Sequence, residues 1–352
     1  MQGVGWNFCS MIHASCSMIQ MVKVITIGSV SQDIFFPTNE GVIIETPEDL
    51  LSQKKLAFEF GAKYHVNERF ESLGGCSVNV AVGLVKLGED VSAYTTIGDD
   101  VTGKWIHAEL EKTGVKMEFV GIASSCKSDL SAIIVDQKNE DRVIFSNQVA
   151  NQKLVFDVQK IGNPQWIFIG DLSGDWKKNL DLIVAIAKEK NILLAFNPRQ
   201  KTIHEDAEKI REVSSICDLL FVNKDEALEI LSSTNIDHAN EDEIFLMTQL
   251  KKIGAKIVVL TDGKRGAWVG NEVGNFYVKA MLVETVDTTG AGDAFASGFF
   301  AAYLKEKPIQ ECLKWGIANS SSSIKQYGGQ VGLLNQEQVN FMVKDIVVQS
   351  ID

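Results

Sequence analysis

The stretch Asp287-Thr288-Thr289-Gly290-Ala291-Gly292-Asp293-Ala294-Phe295 runs straight into the apolar segment Ala296-Ser297-Gly298-Phe299-Phe300-Ala301-Ala302-Tyr303. Small residues at 290–292 let successive N–H groups converge on the first turn of a helix, where unpaired donors and the helix dipole favour negative charge. An aspartate in that turn would repel a phosphate that merely rested there. It is useful instead as a base, taking a proton from a hydroxyl while the adjacent amides hold the charge growing on a transferred phosphoryl group. Taken alone, Gly-x-Gly-Asp also reads as a glycine turn closed by an acidic residue.

Two other phosphate motifs are excluded. A dinucleotide-binding Gly-x-Gly-x-x-Gly needs a glycine where Phe295 stands, and it opens an early βαβ unit rather than one near the C-terminal end. The segment Gly98-Asp99-Asp100-Val101-Thr102-Gly103-Lys104-Trp105 resembles a P-loop but ends in Trp where a metal-binding hydroxyl is required, and its two carboxylates would oppose phosphates.

With 352 residues, 45% hydrophobic and 23% charged, the chain suits one large core with a small appendage. A net charge of −12 without any basic stripe argues against a nucleic-acid surface, so the expected partner is a small molecule. Cysteines at 9, 16, 76, 126, 217 and 312 form no Cys-x-x-Cys pair, which fits free thiols in a reducing compartment and a cytoplasmic protein. The first twenty residues lack the basic start and apolar core of a secretory signal and are expected to be a disordered extension. No apolar run reaches the roughly 18 residues needed to span a bilayer, so no membrane role is expected.

Short β-branched runs at 22–27, 91–97, 166–169, 193–196, 219–222 and 257–261 alternate with helical patterns at 77–87, 104–113, 177–190, 224–231 and 244–253. That rhythm predicts an α/β fold: a doubly wound, mostly parallel sheet with helices on both faces and ligands at the carboxyl ends of its strands. Residues 39–72 and 117–146 break the rhythm with strand-like patterning. They are expected to form a small β lid on a single domain spanning 21–350.

The first strand closes on Gly28-Ser29-Val30-Ser31-Gln32-Asp33, and Gly74-Gly75-Cys76-Ser77-Val78-Asn79 opens a helix downstream. Aspartate accepts and asparagine both donates and accepts, so Asp33 and Asn79 can grip vicinal hydroxyls while the glycines admit a ring close to the backbone. Gly-Gly before a helix is also an ordinary turn and cap. Together with Gly88, Gly98, Gly103 and the Asp287–Asp293 run, these residues resemble the PfkB or ribokinase family of sugar and nucleoside kinases. The resemblance covers about residues 22–345, with Ser77 standing where Gly, Ala or Pro is usual.

The resemblance implies a ribokinase-like fold and an ATP-dependent kinase. In it Asp293 is the catalytic base; Gly290, Ala291 and Gly292 form its anion hole; Asp33, Gly74, Gly75 and Asn79 hold the acceptor. Asn223 and Glu226 resemble the element that organises magnesium and phosphate, Glu226 through water, although Asn-x-x-Glu is by itself a helix N-terminus with a capping pair. Thr261, Gly263 and Gly266 are similar to the turn at the ATP phosphates, and Asn319 lies where the adenine pocket is usually completed. Asp287 and Thr289 resemble the residues that support a monovalent cation, potassium in many members. Asn197-Pro198-Arg199 sits at a strand end facing the same cleft, and reads equally as a proline turn.

The acceptor remains open at this level. Ribokinases usually carry Lys at the position of Cys76, which weakens ribose. Phosphofructokinase-like members need cations for a substrate phosphate, and Lys63, Arg69 and Arg142 are expected in surface salt bridges instead. An unphosphorylated sugar is the main expectation and a nucleoside the alternative, since Phe58, Phe60 and Tyr64 either stack on a base or pack the lid. A non-catalytic sugar or nucleotide binder is the third reading. Exposed strand edges in the first lid segment need cover, which fits a homodimer formed through it.

Overall fold

A computed structural model of the chain describes residues 23–46, 54–139, 141–232 and 242–351. The N-terminal extension expected at residues 1–20 lies outside the described residues. In chain order the strands are β1 (Lys23–Ile27), β2 (Ser31–Thr38), β3 (Val42–Glu45), β4 (Lys54–Ala57), β5 (Phe70–Gly74), β6 (Asp90–Gly98), β7 (Lys116–Ala123), β8 (Leu130–Asp136), β9 (Asp141–Asn147), β10 (Trp166–Ile169), β11 (Leu193–Phe196), β12 (Leu219–Asn223), β13 (Ile257–Thr261), β14 (Ala267–Gly270), β15 (Asn275–Val278) and β16 (Val348–Ser350). The helices are α1 (Cys76–Lys86), α2 (Val101–Glu111), α3 (Trp176–Lys190), α4 (Gln200–Glu205), α5 (Ala207–Ser214), α6 (Lys224–Leu231), α7 (Glu243–Ile253), α8 (Ala291–Leu304), α9 (Ile309–Ser323) and α10 (Gln336–Met342).

The main sheet has the order β16-β15-β14-β13-β12-β11-β10-β1-β6-β7. It is parallel from β7 to β13 and antiparallel beyond. Its central strands are apolar on both faces because both are covered. Val24, Phe168, Phe221 and Val259 join one core with α1, α8 and α9, while Ile25, Ile167, Leu220 and Val258 join the other with α3, α6 and α7. Successive strand residues therefore feed opposite cores, as the period of two requires.

A second sheet, β5-β2-β8-β9, stands off the first, and β3 pairs with β4 as a separate hairpin. Here the structure departs from the predicted boundaries. Residues 117–123 belong to β7, which pairs in parallel with β6 at the edge of the main sheet, so the second lid segment starts later, at β8. The strand that joins β5 to β8 in the second sheet is β2, which starts at Ser31 and so carries Asp33 out of the first strand and into the lid, ahead of the expected start at residue 39.

The junction between the sheets is polar and buried. The Asp129 carboxylate accepts from the N–H groups of Val149 (2.7 Å) and Ala150 (2.8 Å) and from Asn151 Nδ2 (2.6 Å), tying the start of β8 to the end of β9. Asn151 Nδ2 also donates to the Val30 carbonyl (2.8 Å) just before β2. Beside it Asp100 caps α2 by accepting from Gly103 N (2.8 Å) and from Ser128 Oγ (2.7 Å). A Cβ on Gly103 would stand 2.1 Å from the Gly98 carbonyl, so the P-loop look-alike is a packing motif. Replacing Asp129 with Ala should strand those buried donors and cost roughly 3 kcal/mol, read as a lower urea midpoint. An unchanged midpoint would remove the junction's structural role.

Candidate active site

Strands β1, β10, β11, β12 and β13 all end on the same edge of the main sheet, and the second sheet overhangs it. The cleft between them has a volume of about 440 Å³. Its floor carries Ser29, Asp171, Arg199, Asn223 and Thr261 from strand ends, its roof Asp33, Ser131, Arg142, Ile144 and Ser146, and one wall the turn Thr288–Asp293.

Helix α8 opens at Gly290, which adopts φ 73° and offers no side chain to cap the helix. A Cβ there would meet the Gly329 Cα at 2.6 Å, so both conformation and space demand glycine. The Ala291 N–H donates to the Thr288 carbonyl at 3.2 Å, whereas the N–H groups of Gly290, Gly292 and Asp293 have no acceptor among the described residues. The open donors thus differ by one residue from the expected Gly290-Ala291-Gly292 set: Asp293 contributes its amide and Ala291 is already engaged. Nothing lies within 4 Å of a Cβ built on Gly292, which leaves its amide open to the cleft.

Asp293 is buried, yet it faces this space. Its Oδ1 accepts from Arg199 Nη2 (3.1 Å) and its Oδ2 from Asn79 Nδ2 (2.9 Å). Asn79 Oδ1 in turn accepts from Gln330 Nε2 (2.9 Å). Asn79 is therefore a clamp on the aspartate as well as a cleft residue, a role that reading it as a hydroxyl ligand beside Asp33 missed. Arg199, which read equally well as part of a proline turn, pairs with Asp293 instead.

Asp33 accepts from Ser31 Oγ (2.8 Å), and a Cβ on Gly74 would fall 2.0 Å from Asp33 Oδ2, so Gly74 exists to admit that carboxylate. Gly75, at φ 93°, starts α1, and a Cβ there would strike the Ser29 carbonyl at 2.4 Å. Burial, reinforced by the charges of Asp287 and Asp293, raises the Asp33 carboxyl above its ordinary range against hydrogen bonds from Ser31 and Ser131. Burial likewise raises Asp171 and Glu226.

Further along this edge, Asn223 and Thr261 are register partners at the ends of β12 and β13. Asn223 and Glu226 form a reciprocal capping box: Asn223 Oδ1 accepts from Glu226 N (2.8 Å) and Glu226 Oε2 from Asn223 N (2.9 Å). One carboxylate oxygen of Glu226 remains for a ligand. Gly263 is open on all sides, while Gly266 is dictated by the Val278 carbonyl, 2.1 Å from its would-be Cβ. Asp287 accepts from Thr289 N (3.0 Å), Thr289 Oγ1 (2.7 Å) and Gly328 N (3.0 Å), bracing the turn.

Of the predicted residues, Gly74, Glu226, Gly263, Gly266, Asp287 and Asn319 do not line the cleft, and Glu226 lines a small neighbouring pocket with Asn223 and Asp293. Asn319 is wholly buried, donates to the Ala294 carbonyl (2.8 Å) and Ser297 Oγ (3.1 Å), and accepts from Leu334 N (2.9 Å). With its amide spent between α8 and α9 it is a structural clip, not part of an adenine pocket. Among the described residues Arg142 makes none of the surface salt bridges expected of it and instead lines the cleft; Arg69 does make one, to Glu71 at 2.7 Å. Asp171 went unnoticed, although Gly170-Asp171 closes β10 much as Gly28-Ser29 closes β1.

The chain matches the pfkB family carbohydrate kinase model over residues 51–336. It belongs to that family. An uncharacterized sugar kinase of Archaeoglobus fulgidus is 30% identical across 72% of this chain and 98% of that protein. A ribokinase of Haemophilus influenzae is 27% identical across 76% of this chain and 87% of its own. Among solved structures, a putative ribokinase II from E. coli in complex with ATP and magnesium superposes with a TM-score of 0.76 at 19% identity, covering 92% of this chain and 99% of that one. The fold is thus ribokinase-like, and this pfkB member is a phosphotransferase that acts on a hydroxyl group.

The buried carboxylates give a stability test. A carboxyl whose folded pKa is raised weakens the fold when ionised, and the penalty fades as pH falls through that raised value toward the unfolded one. Asp33→Asn should therefore raise the melting temperature at pH 7.5 by about 1–3 °C, with the gain vanishing near pH 4. Scanning calorimetry at both pH values reads it, and a lowered melting temperature at pH 7.5 would contradict it.

Proposed function

We propose that the protein moves the γ-phosphoryl group of ATP onto a hydroxyl of a small sugar, with Asp293 as general base and the Gly290, Gly292 and Asp293 amides as anion hole. The observation that carries this reading is the position of Asp293: a carboxylate held from two sides by Asn79 and Arg199, in a helix turn where the Gly290, Gly292 and Asp293 donors have no acceptor among the described residues. Two of its acceptor positions are occupied, leaving others for a substrate hydroxyl. The acceptor lies between Asp33, Gly74, Gly75 and Asn79, and the ATP phosphates run toward Asn223, Thr261, Gly263 and Gly266. Backbone donors aimed at the transferred group need no reorganisation as charge develops.

Magnesium fits as an ion carried chiefly by phosphate oxygens and water. No cluster of three metal-binding side chains forms among the described residues, and Glu226 offers one free carboxylate oxygen beside the phosphate path. Bound there, the metal would neutralise charge between the phosphates. A potassium ion near Asp287 and Thr289 belongs to the same proposal, as the brace under the anion-hole turn. A sugar is favoured over a nucleoside because the lid aromatics offer no platform to a base. Phe58 and Tyr64 pack on each other at 5.2 Å, and neither they nor Phe60 line the cleft.

We further propose a cytoplasmic protein, supported by free thiols at Cys76, Cys126, Cys217 and Cys312. A homodimer through the lid is supported by the exposed apolar side chains of Val42 and Ile44 on the β3–β4 hairpin and of Phe145 on the second sheet. Light scattering should read about twice the 38.7 kDa chain mass, and a monomer at micromolar concentration would exclude it.

The deciding experiment measures ADP release from ATP, magnesium and potassium over a panel of sugars, sugar phosphates and nucleosides. Asp293→Asn should cut the stimulated rate by roughly 10²–10⁴-fold while ATP binding persists, and chelating magnesium should abolish transfer. An unchanged rate in the variant would remove the base assignment. Binding without turnover in the wild-type protein would favour the non-catalytic reading.

A further inference from the structure

Arg142 projects from β9 into the cleft. Alternation along that strand sends Arg142, Ile144 and Ser146 to the face that roofs the cavity. The guanidinium crosses to the anion-hole turn, where Nη1 donates to Thr288 Oγ1. Its Nε is buried with no acceptor among the described residues, and Arg142 joins no ion pair there. The cavity's carboxylates are meanwhile engaged: Asp129 by backbone N–H groups, Asp33 by Ser31, Asp171 by Ser29 and the charge of Arg199, and Asp293 by Asn79 and Arg199.

A guanidinium held at a cleft by one hydroxyl, with a buried N–H unspent, is a poor resting arrangement for a neutral ligand. Closing over a neutral sugar would bury the charge further without compensation. A phosphate or carboxylate would match the fork with two parallel, charge-assisted hydrogen bonds. The sheet that carries Arg142 also carries Asp33, since β9 pairs with β8 and β8 with β2, so the cation belongs to the acceptor half of the cleft.

We propose that the acceptor is an anionic sugar, bearing a phosphate or a carboxylate that Arg142 grips while a free hydroxyl faces Asp293. The inference rests on the kinase reading above and replaces its unphosphorylated sugar with a charged one. The transferred phosphoryl group of ATP offers the same chemistry to Arg142, and the test separates the two.

Steady-state ADP release is measured with D-ribose, D-fructose and inosine, and in parallel with ribose 1-phosphate, fructose 6-phosphate and gluconate, for the wild-type chain and for Arg142→Gln and Arg142→Lys. The glutamine keeps a donor for Thr288 and removes the charge. At least one anionic acceptor should exceed its neutral counterpart in kcat/KM by about tenfold or more, and Arg142→Gln should raise KM for it by about 10–100-fold. KM for ATP should move less than about threefold, and Arg142→Lys should recover part of the loss. Neutral acceptors used as well as anionic ones would overturn the inference and leave the kinase standing. A rise in KM for ATP alone would assign Arg142 to the transferred phosphoryl group and overturn it too. No ADP release with any acceptor would bring down the kinase reading, and this inference with it.

Discussion

The depth at which α8 is seated governs the rest of the site. The helix lies between α1 and α9, and at each contact one partner is glycine. A Cβ on Gly83 would fall 2.2 Å from Ser297 Oγ, one on Gly298 2.6 Å from the Trp315 carbonyl, and one on Gly316 2.7 Å from the Phe295 ring. Rotation cannot move the Trp315 carbonyl or the Ser297 Cβ, itself 2.5 Å from a Cβ on Gly83, and overpacking a close-packed core costs about 1–3 kcal/mol. Phe299 and Phe300, both fully buried, hold the helix there, with roughly 2–3 kcal/mol of apolar burial each. Asp293 and the open amides are placed by this seating, because they are the first turn of the same rigid body.

The cleft carries the opposite sign of energy. Asp33, Asp171 and Glu226 are carboxylates pushed upward by burial, gathered at one edge of the sheet. The fold tolerates them because two large apolar cores flank the sheet and because hydrogen bonds answer most of the polar atoms. Natural proteins concentrate such penalties where ligands bind.

Much of this was legible in the sequence. The βα rhythm gave the parallel sheet because strands buried on both faces are continuous apolar runs, and the start of α8 at Gly290 was legible because a helix start and a positive φ both leave signatures in residue type. The failures share a cause. Residues 117–123 alternate like lid strands, and only tertiary pairing with β6 assigns them to the main sheet. Asn319 is polar and follows a family position, but its burial depends on a clip between α8 and α9 that no local pattern announces. Arg142 looked like a surface charge, and Arg199 read equally as a cleft residue or a proline turn, because their partners, Thr288 and Asp293, are 146 and 94 residues away. Register and long-range pairing, not propensity, decide these cases.

The clamp on Asp293 has a consequence for the newborn chain. Asn79 and Arg199 are 214 and 94 residues upstream of the carboxylate they hold. Synthesis from the N-terminus therefore lays down the second sheet and every parallel strand of the main sheet before the carboxylate exists. Until the chain beyond residue 291 has emerged and docked against α1, Asn79 and Arg199 have no carboxylate to hold, and the cleft lacks the wall that α8 supplies.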